Sequence, residues 1–260
     1  MQNPEPILPE NASVVCIGAS NLVRGVPAVA ALSRNRFGKN TEIYSVSGHG
    51  RSYLGRSSFF FRTLPGILDS GLWEKLSGKK GHIKSIVTDI GNDIMYGYSE
   101  DEILNGAVSA VERLRKLTSD ITVTGLPVHN LDSLNEMKFR LFKNIFFPQA
   151  EITLADAMNS MKYISESLKN ICAQKNLRFV PLEKEWYGFD PIHFRIRRWK
   201  DAWGKIFSDD PDNRSLADFS VLEFISLYAK MPEEMELFGK KRKAAQTGIR
   251  LKKGGILYLY

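Results

Sequence analysis

The chain has 260 residues, of which 43% are hydrophobic and 25% charged, with a formal net charge of +7 and two cysteines. This composition fits a soluble globular protein with one sizeable core, or a core plus an appendage. The first residues, Met1 to Pro6, offer neither a basic region nor an apolar one, and no apolar run approaches the roughly 18 residues a bilayer needs. Cys16 and Cys172 are too few and too far apart for a disulfide framework or a thiolate metal site, so a cytoplasmic setting is expected.

Along the chain, Ser13–Ile17 is a short apolar, β-branched run that predicts a first strand, leading straight into Gly18-Ala19-Ser20. Glu42–Val46 predicts a second strand, followed by Ser47-Gly48-His49-Gly50, and Ser85–Ile90 a third, followed by Gly91-Asn92-Asp93. From Ser99 to Leu117, Ile103, Ala107, Val111, Leu114 and Leu117 recur at helical spacing, and Ser99 with Glu102 suits a capping box. Ile121–Leu126 and Arg178–Leu182 complete the strands, with helical stripes over 134–147 and 155–174 between them. A further helix is predicted over 192–206, opened by Asp190 as N-cap and Pro191 at the first helical position.

Alternating strands and amphipathic helices predict an α/β protein: a three-layer α/β/α sandwich with a parallel sheet of about five strands. The turn-forming, acidic run Asp209-Asp210-Pro211-Asp212-Asn213 breaks the pattern. Residues 1–207 are therefore expected to form the core domain and 208–260 an appendage. The appendage should contain a helix over 215–230 and, after Gly254-Gly255, a final strand or docking tail at Ile256–Tyr260.

In a parallel sheet, ligands gather beyond the carboxyl ends of the strands, where three of the four motifs fall. Ser20 at a strand-to-helix turn could be a nucleophile or a helix-capping residue. Gly48 and Gly50 permit a close backbone approach, or form a plain turn. Asn92 could donate its amide to an oxyanion or open an Asn-Asp turn. Asp190 and His193, three apart, could pair as carboxylate and base, or serve as a cap and a surface histidine. His49, His82, His129 and His193 are scattered, with no metal-binding spacing, and no cofactor is expected.

Taken together and in this order, the four blocks resemble those of the SGNH hydrolases, the GDSL esterase/lipase superfamily, over roughly Ser13 to Phe207. The resemblance implies a flavodoxin-like fold and a serine hydrolase acting on acyl esters. Ser20 would be the nucleophile, His193 the general base and Asp190 its orienting carboxylate. Oxyanion donors would be the N–H groups of Ser20 and Gly48 and the side chain of Asn92. One position departs: the family usually has Asp where this chain has Ala19.

The implied substrate is a small-molecule or glycan acyl ester, cleaved by an esterase, deacetylase or thioesterase; transfer to an acceptor other than water is also open. Phe59-Phe60-Phe61 and Trp186-Tyr187 with Phe189 are candidates for an acyl pocket, and Arg51 for contact with an anionic substrate. The stretch from Phe238 to Tyr260 has seven Lys and Arg and no Asp or Glu. It motivates an alternative reading, a non-catalytic scaffold that contacts nucleic acid or anionic lipid through this segment.

Overall fold

Val14, Val15, Cys16 and Ile17 are at most 1% exposed, so the first strand is covered on both faces, as its unbroken apolar character requires. The computed structural model describes residues 11–131, 134–209 and 221–260. Its first half comprises β1 (Ser13–Ile17), α1 (Ser20–Phe37), β2 (Glu42–Val46), β3 (Ser57–Phe59), β4 (Arg62–Leu64), α2 (Leu72–Lys75), β5 (Ile83–Val87), α3 (Asn92–Met95) and α4 (Glu100–Arg115). There follow β6 (Ile121–Thr124), α5 (Val128–Leu131), α6 (Glu136–Phe146), α7 (Leu154–Gln174), β7 (Arg178–Val180), α8 (Trp199–Phe207), α9 (Val221–Tyr228), β8 (Glu234–Leu237), β9 (Lys240–Lys243), β10 (Ile249–Arg250) and β11 (Ile256–Leu259).

The central sheet has seven strands in the order β10-β11-β2-β1-β5-β6-β7. All neighbours are parallel except β10 against β11. The five predicted strands form the run from β2 to β7, and the C-terminal Ile256–Leu259 adds itself beside β2 rather than docking elsewhere. Successive residues of β1 face opposite layers. Val15 and Ile17 pack with Ile103, Val111 and Leu168 of α4 and α7, while Val14 and Cys16 pack with Leu22, Val29 and Trp203 of α1 and α8. Gly25 lets α1 and α8 meet closely, since a Cβ there would lie 2.0 Å from the Trp203 ring.

A second, antiparallel sheet of order β3-β4-β8-β9 joins the hairpin after β2 to the C-terminal region. The capping box predicted at Ser99 is present, with the Glu102 N–H donating to Ser99 Oγ and the Ser99 N–H to Glu102 Oε2. The predicted helix over 215–230 is seen as α9; residues 210–220 lie outside the described residues.

Two expectations are corrected. The strand predicted over 85–90 ends at Val87, because Asp89 turns to a left-handed φ of 58° that no strand continues. The helix predicted over 192–206 begins only at Trp199, after one 3-10 turn at Ile196–Arg198. Asn21 takes the Ile192 carbonyl and the Phe194 N–H, peptide groups that a helix would have used for itself.

Candidate active site

Ser20 opens α1, and the residue before it, Ala19, has no side chain with which to cap the helix. The vacant donors of the first turn are instead met from the end of β5. Asp89 Oδ2 accepts the N–H of Ala19 at 2.9 Å and that of Leu22 at 3.1 Å, and its Oδ1 accepts Asn21 Nδ2 at 2.9 Å. Asn21 also donates to the Ile192 carbonyl at 2.9 Å and accepts the Phe194 N–H at 3.0 Å, bracketing His193 from both sides.

That bracket brings three predicted residues into one chain of hydrogen bonds. His193 Nε2 lies 2.9 Å from Ser20 Oγ, and His193 Nδ1 lies 2.7 Å from Asp190 Oδ2. With the carboxylate accepting from Nδ1–H, the Nε2 lone pair is left for the serine proton. The other oxygen of Asp190 accepts the N–H groups of Ile192 at 3.1 Å and His193 at 3.2 Å. Burial pushes the Asp190 pKa up, but the hydrogen bond and charge of His193 and the Ile192 N–H outweigh it, so it lies below the usual value.

Asn92, at the start of α3, donates Nδ2 to the Arg51 carbonyl at 3.2 Å, leaving its second amide hydrogen for a ligand. The next residue, Asp93, is fully buried and anchors the loop after β2, accepting the Tyr53 N–H at 2.9 Å and the Ser52 hydroxyl. Burial raises its pKa against those hydrogen bonds.

Gly48 and Gly50 take different places. Gly48 borders a separate cleft with Val26, Arg62 and Leu257, and a Cβ on it would lie 2.3 Å from Leu64 Cδ1. Gly50 borders the cavity that holds Ser20, Asn92 and His193. Its φ of 63° is one that favours glycine, and its carbonyl accepts the Tyr96 hydroxyl at 2.6 Å. Of the two glycines it is Gly50 that borders this cavity: the loop turns after Ser47, and the Arg51 N–H returns to the Gly48 carbonyl.

Ser20 and Asn92 sit where two lobes meet. One, about 110 Å³, runs between α3, α6 and α7 and is lined by Ile94, Leu126, Phe139, Phe142, Ala157 and Met161. The other, about 200 Å³, is bordered by Arg24, His49, Gly50, Phe59 and Tyr228. His49 has its pKa pushed down to about 3 by burial and then by the charges of Arg62, Arg24 and His193, so it is neutral at pH 7.

Of the aromatic candidates, only Phe59 lines this cavity; Phe60, Phe61 and Phe189 are exposed, and Trp186 and Tyr187 belong to the core. Arg51 is fully buried and donates to the carbonyls of Pro65 and Ser47 and to the main-chain oxygen of Tyr260, so it does not face the cavity. Asn21, Arg24 and Asp89 were not among the residues that the motifs singled out. Arg24 follows Ser20 by one helical turn, a signal that sequence could have offered; nothing local marks Asp89.

No protein-family model matches the chain, and no curated protein matches it in sequence. Among solved structures it is similar to a carbohydrate acetylesterase family member from Sinorhizobium meliloti, with a TM-score of 0.51 and 14% identity, covering 79% of this chain and 99% of that one. It is also similar to TesA, with a TM-score of 0.47 and 14% identity over 73% of this chain and 93% of that one. The likeness is one of fold: a flavodoxin-like α/β/α sandwich around a mostly parallel sheet.

Proposed function

We propose that the protein is a serine hydrolase of the SGNH type that cleaves carboxylic esters, with Ser20 as nucleophile, His193 as base and Asp190 as its orienting carboxylate. The observation that carries this reading is the unbroken chain from Ser20 Oγ through both His193 nitrogens to Asp190, at 2.9 and 2.7 Å. His193 takes the hydroxyl proton as Ser20 Oγ bonds to the ester carbonyl carbon, and the carbonyl electron pair moves to oxygen. The N–H groups of Ser20 and Gly50 and the free amide hydrogen of Asn92 receive that oxyanion. As the tetrahedral centre collapses, His193 Nε2 returns the proton to the departing alcohol. Water, deprotonated by the same nitrogen, then releases the acid and restores Ser20.

The apolar lobe suits the acyl chain, since Leu126, Phe142 and Met161 offer it no hydrogen-bonding partner to lose. A fluorophosphonate probe tests the chemistry: the wild-type protein should label at Ser20, and Ser20→Ala should not. A series of chromogenic esters of graded length should peak at a chain longer than acetyl. A folded wild-type protein that neither labels nor turns over any ester would sink the proposal and favour a scaffold role.

A further inference from the structure

We infer that the alcohol side of the ester carries an anionic group, a phosphoryl or a carboxylate, held by Arg24 at the mouth of the site. The inference rests on the hydrolase reading for the word ester, but the anion site stands on its own observations. Arg24 lies four residues after Ser20 on α1, so the two side chains share a helix face. It borders both the second lobe, beside His193 and His49, and an outer cleft with Arg195 and Arg197.

The charges facing this region are almost all positive. Among the described residues Asp190 is the one carboxylate lining the outer cleft; it accepts from His193 Nδ1 and two N–H groups and also feels the charge of Arg24. His49 brings no further charge, being neutral, but its buried Nε2 has no hydrogen-bond partner among the described residues. A buried polar atom of this kind is normally satisfied.

The two lobes therefore sort a substrate by polarity. An acyl chain enters the apolar lobe between α6 and α7, which places the alcohol portion on the side of Arg24. A guanidinium presents a planar fork of donors that matches phosphoryl and carboxylate oxygens alike.

The experiment compares three matched esters: 1-hexanoylglycerol, its 3-phosphate, and the hexanoyl ester of glyceric acid. At low salt the wild-type kcat/KM should favour an anionic ester over the neutral one by about tenfold or more, chiefly through KM, and the advantage should shrink as salt rises. Arg24→Gln should reduce the ratio of anionic to neutral kcat/KM by about tenfold. The ratio cancels any general loss of activity in the variant. Whichever anionic ester is preferred names the group. A wild-type ratio near one, or an unchanged ratio in Arg24→Gln, overturns the inference.

A second measurement needs no turnover. Titration of Ser20→Ala with glycerol 3-phosphate and with glycerate should show salt-sensitive binding of at least one, lost when Arg24→Gln is added. Equal affinity with and without Arg24 also overturns it. Failure of the wild-type protein to label with fluorophosphonate counts against the hydrolase reading alone and leaves the titration to judge the anion site.

Discussion

The carboxylate of Asp89 accepts the backbone N–H of Ala19 at 2.9 Å across 70 residues of chain. It thereby supplies, from the end of a neighbouring strand, a negative charge at the helix start that Ala19 cannot provide. With Asn21 it ties the turn that carries Ser20 to the loop that carries His193. Asp89→Ala should therefore lower the rate of fluorophosphonate labelling by about tenfold to a hundredfold, the scale of a small misplacement of reacting groups. Asp89→Asn should cost less, because Asn also tolerates positive φ and keeps one acceptor oxygen. Equal labelling rates in all three proteins would show that the turn holds itself in place.

Asn92 and Asp190 should separate by the step each serves. Removing one oxyanion donor costs on the order of a hundred- to thousand-fold in turnover, so Asn92→Ala should fall in that range with little change in KM. Asp190→Asn keeps the shape but offers the wrong partner to His193 Nδ1, and about a thousand- to ten-thousand-fold loss in kcat is expected. Steady-state kinetics on the best chromogenic ester, with thermal melts as a check on folding, measures both.

The two glycines of the second block should respond in opposite ways. In Gly50→Ala the new side chain would be strained at the left-handed φ of 63° and its methyl would lie 3.2 Å from Tyr96 Oη, shifting a loop residue that borders the cavity, so labelling should fall far more than stability. In Gly48→Ala it would collide with Leu64 Cδ1 at 2.3 Å away from that cavity, and stability should fall first. Paired melting and labelling measurements on the two variants decide it; the reverse pattern would return the oxyanion role to Gly48.

His49 should make the fold sensitive to acid. Its folded pKa of about 3 lies below its ordinary 6.5, so between those values the unfolded chain binds a proton that the folded protein does not. Stability therefore falls as pH drops through that window, by up to about 1.4 kcal/mol per pH unit. Denaturant melts at pH 7, 5.5 and 4.5 should show a steeper loss for the wild type than for His49→Gln. Parallel curves would mean that His49 is free to protonate in the folded state.

The sequence alone determined what depends on neighbours along the chain. β1, β2 and α4 follow from apolar runs, helical spacing and the Ser99–Glu102 box, all settled within a few residues. Ser20, Asn92, Asp190 and His193 could be singled out because each sits in a short motif beside a predicted strand or turn. What only the tertiary structure decided involves partners distant in sequence. Asp89 became a cap because parallel pairing sets β1 directly beside β5, and β11 closed one flank of the sheet by pairing with β2. Gly50 rather than Gly48 reached the cavity because of how the loop turns back on itself, and His193 left its predicted helix because Asn21, 173 residues away from Phe194, claimed the peptide groups around it. Local propensity reads hydrogen bonds a chain makes with its neighbours; those made between strands and across layers exist only once the sheet has assembled.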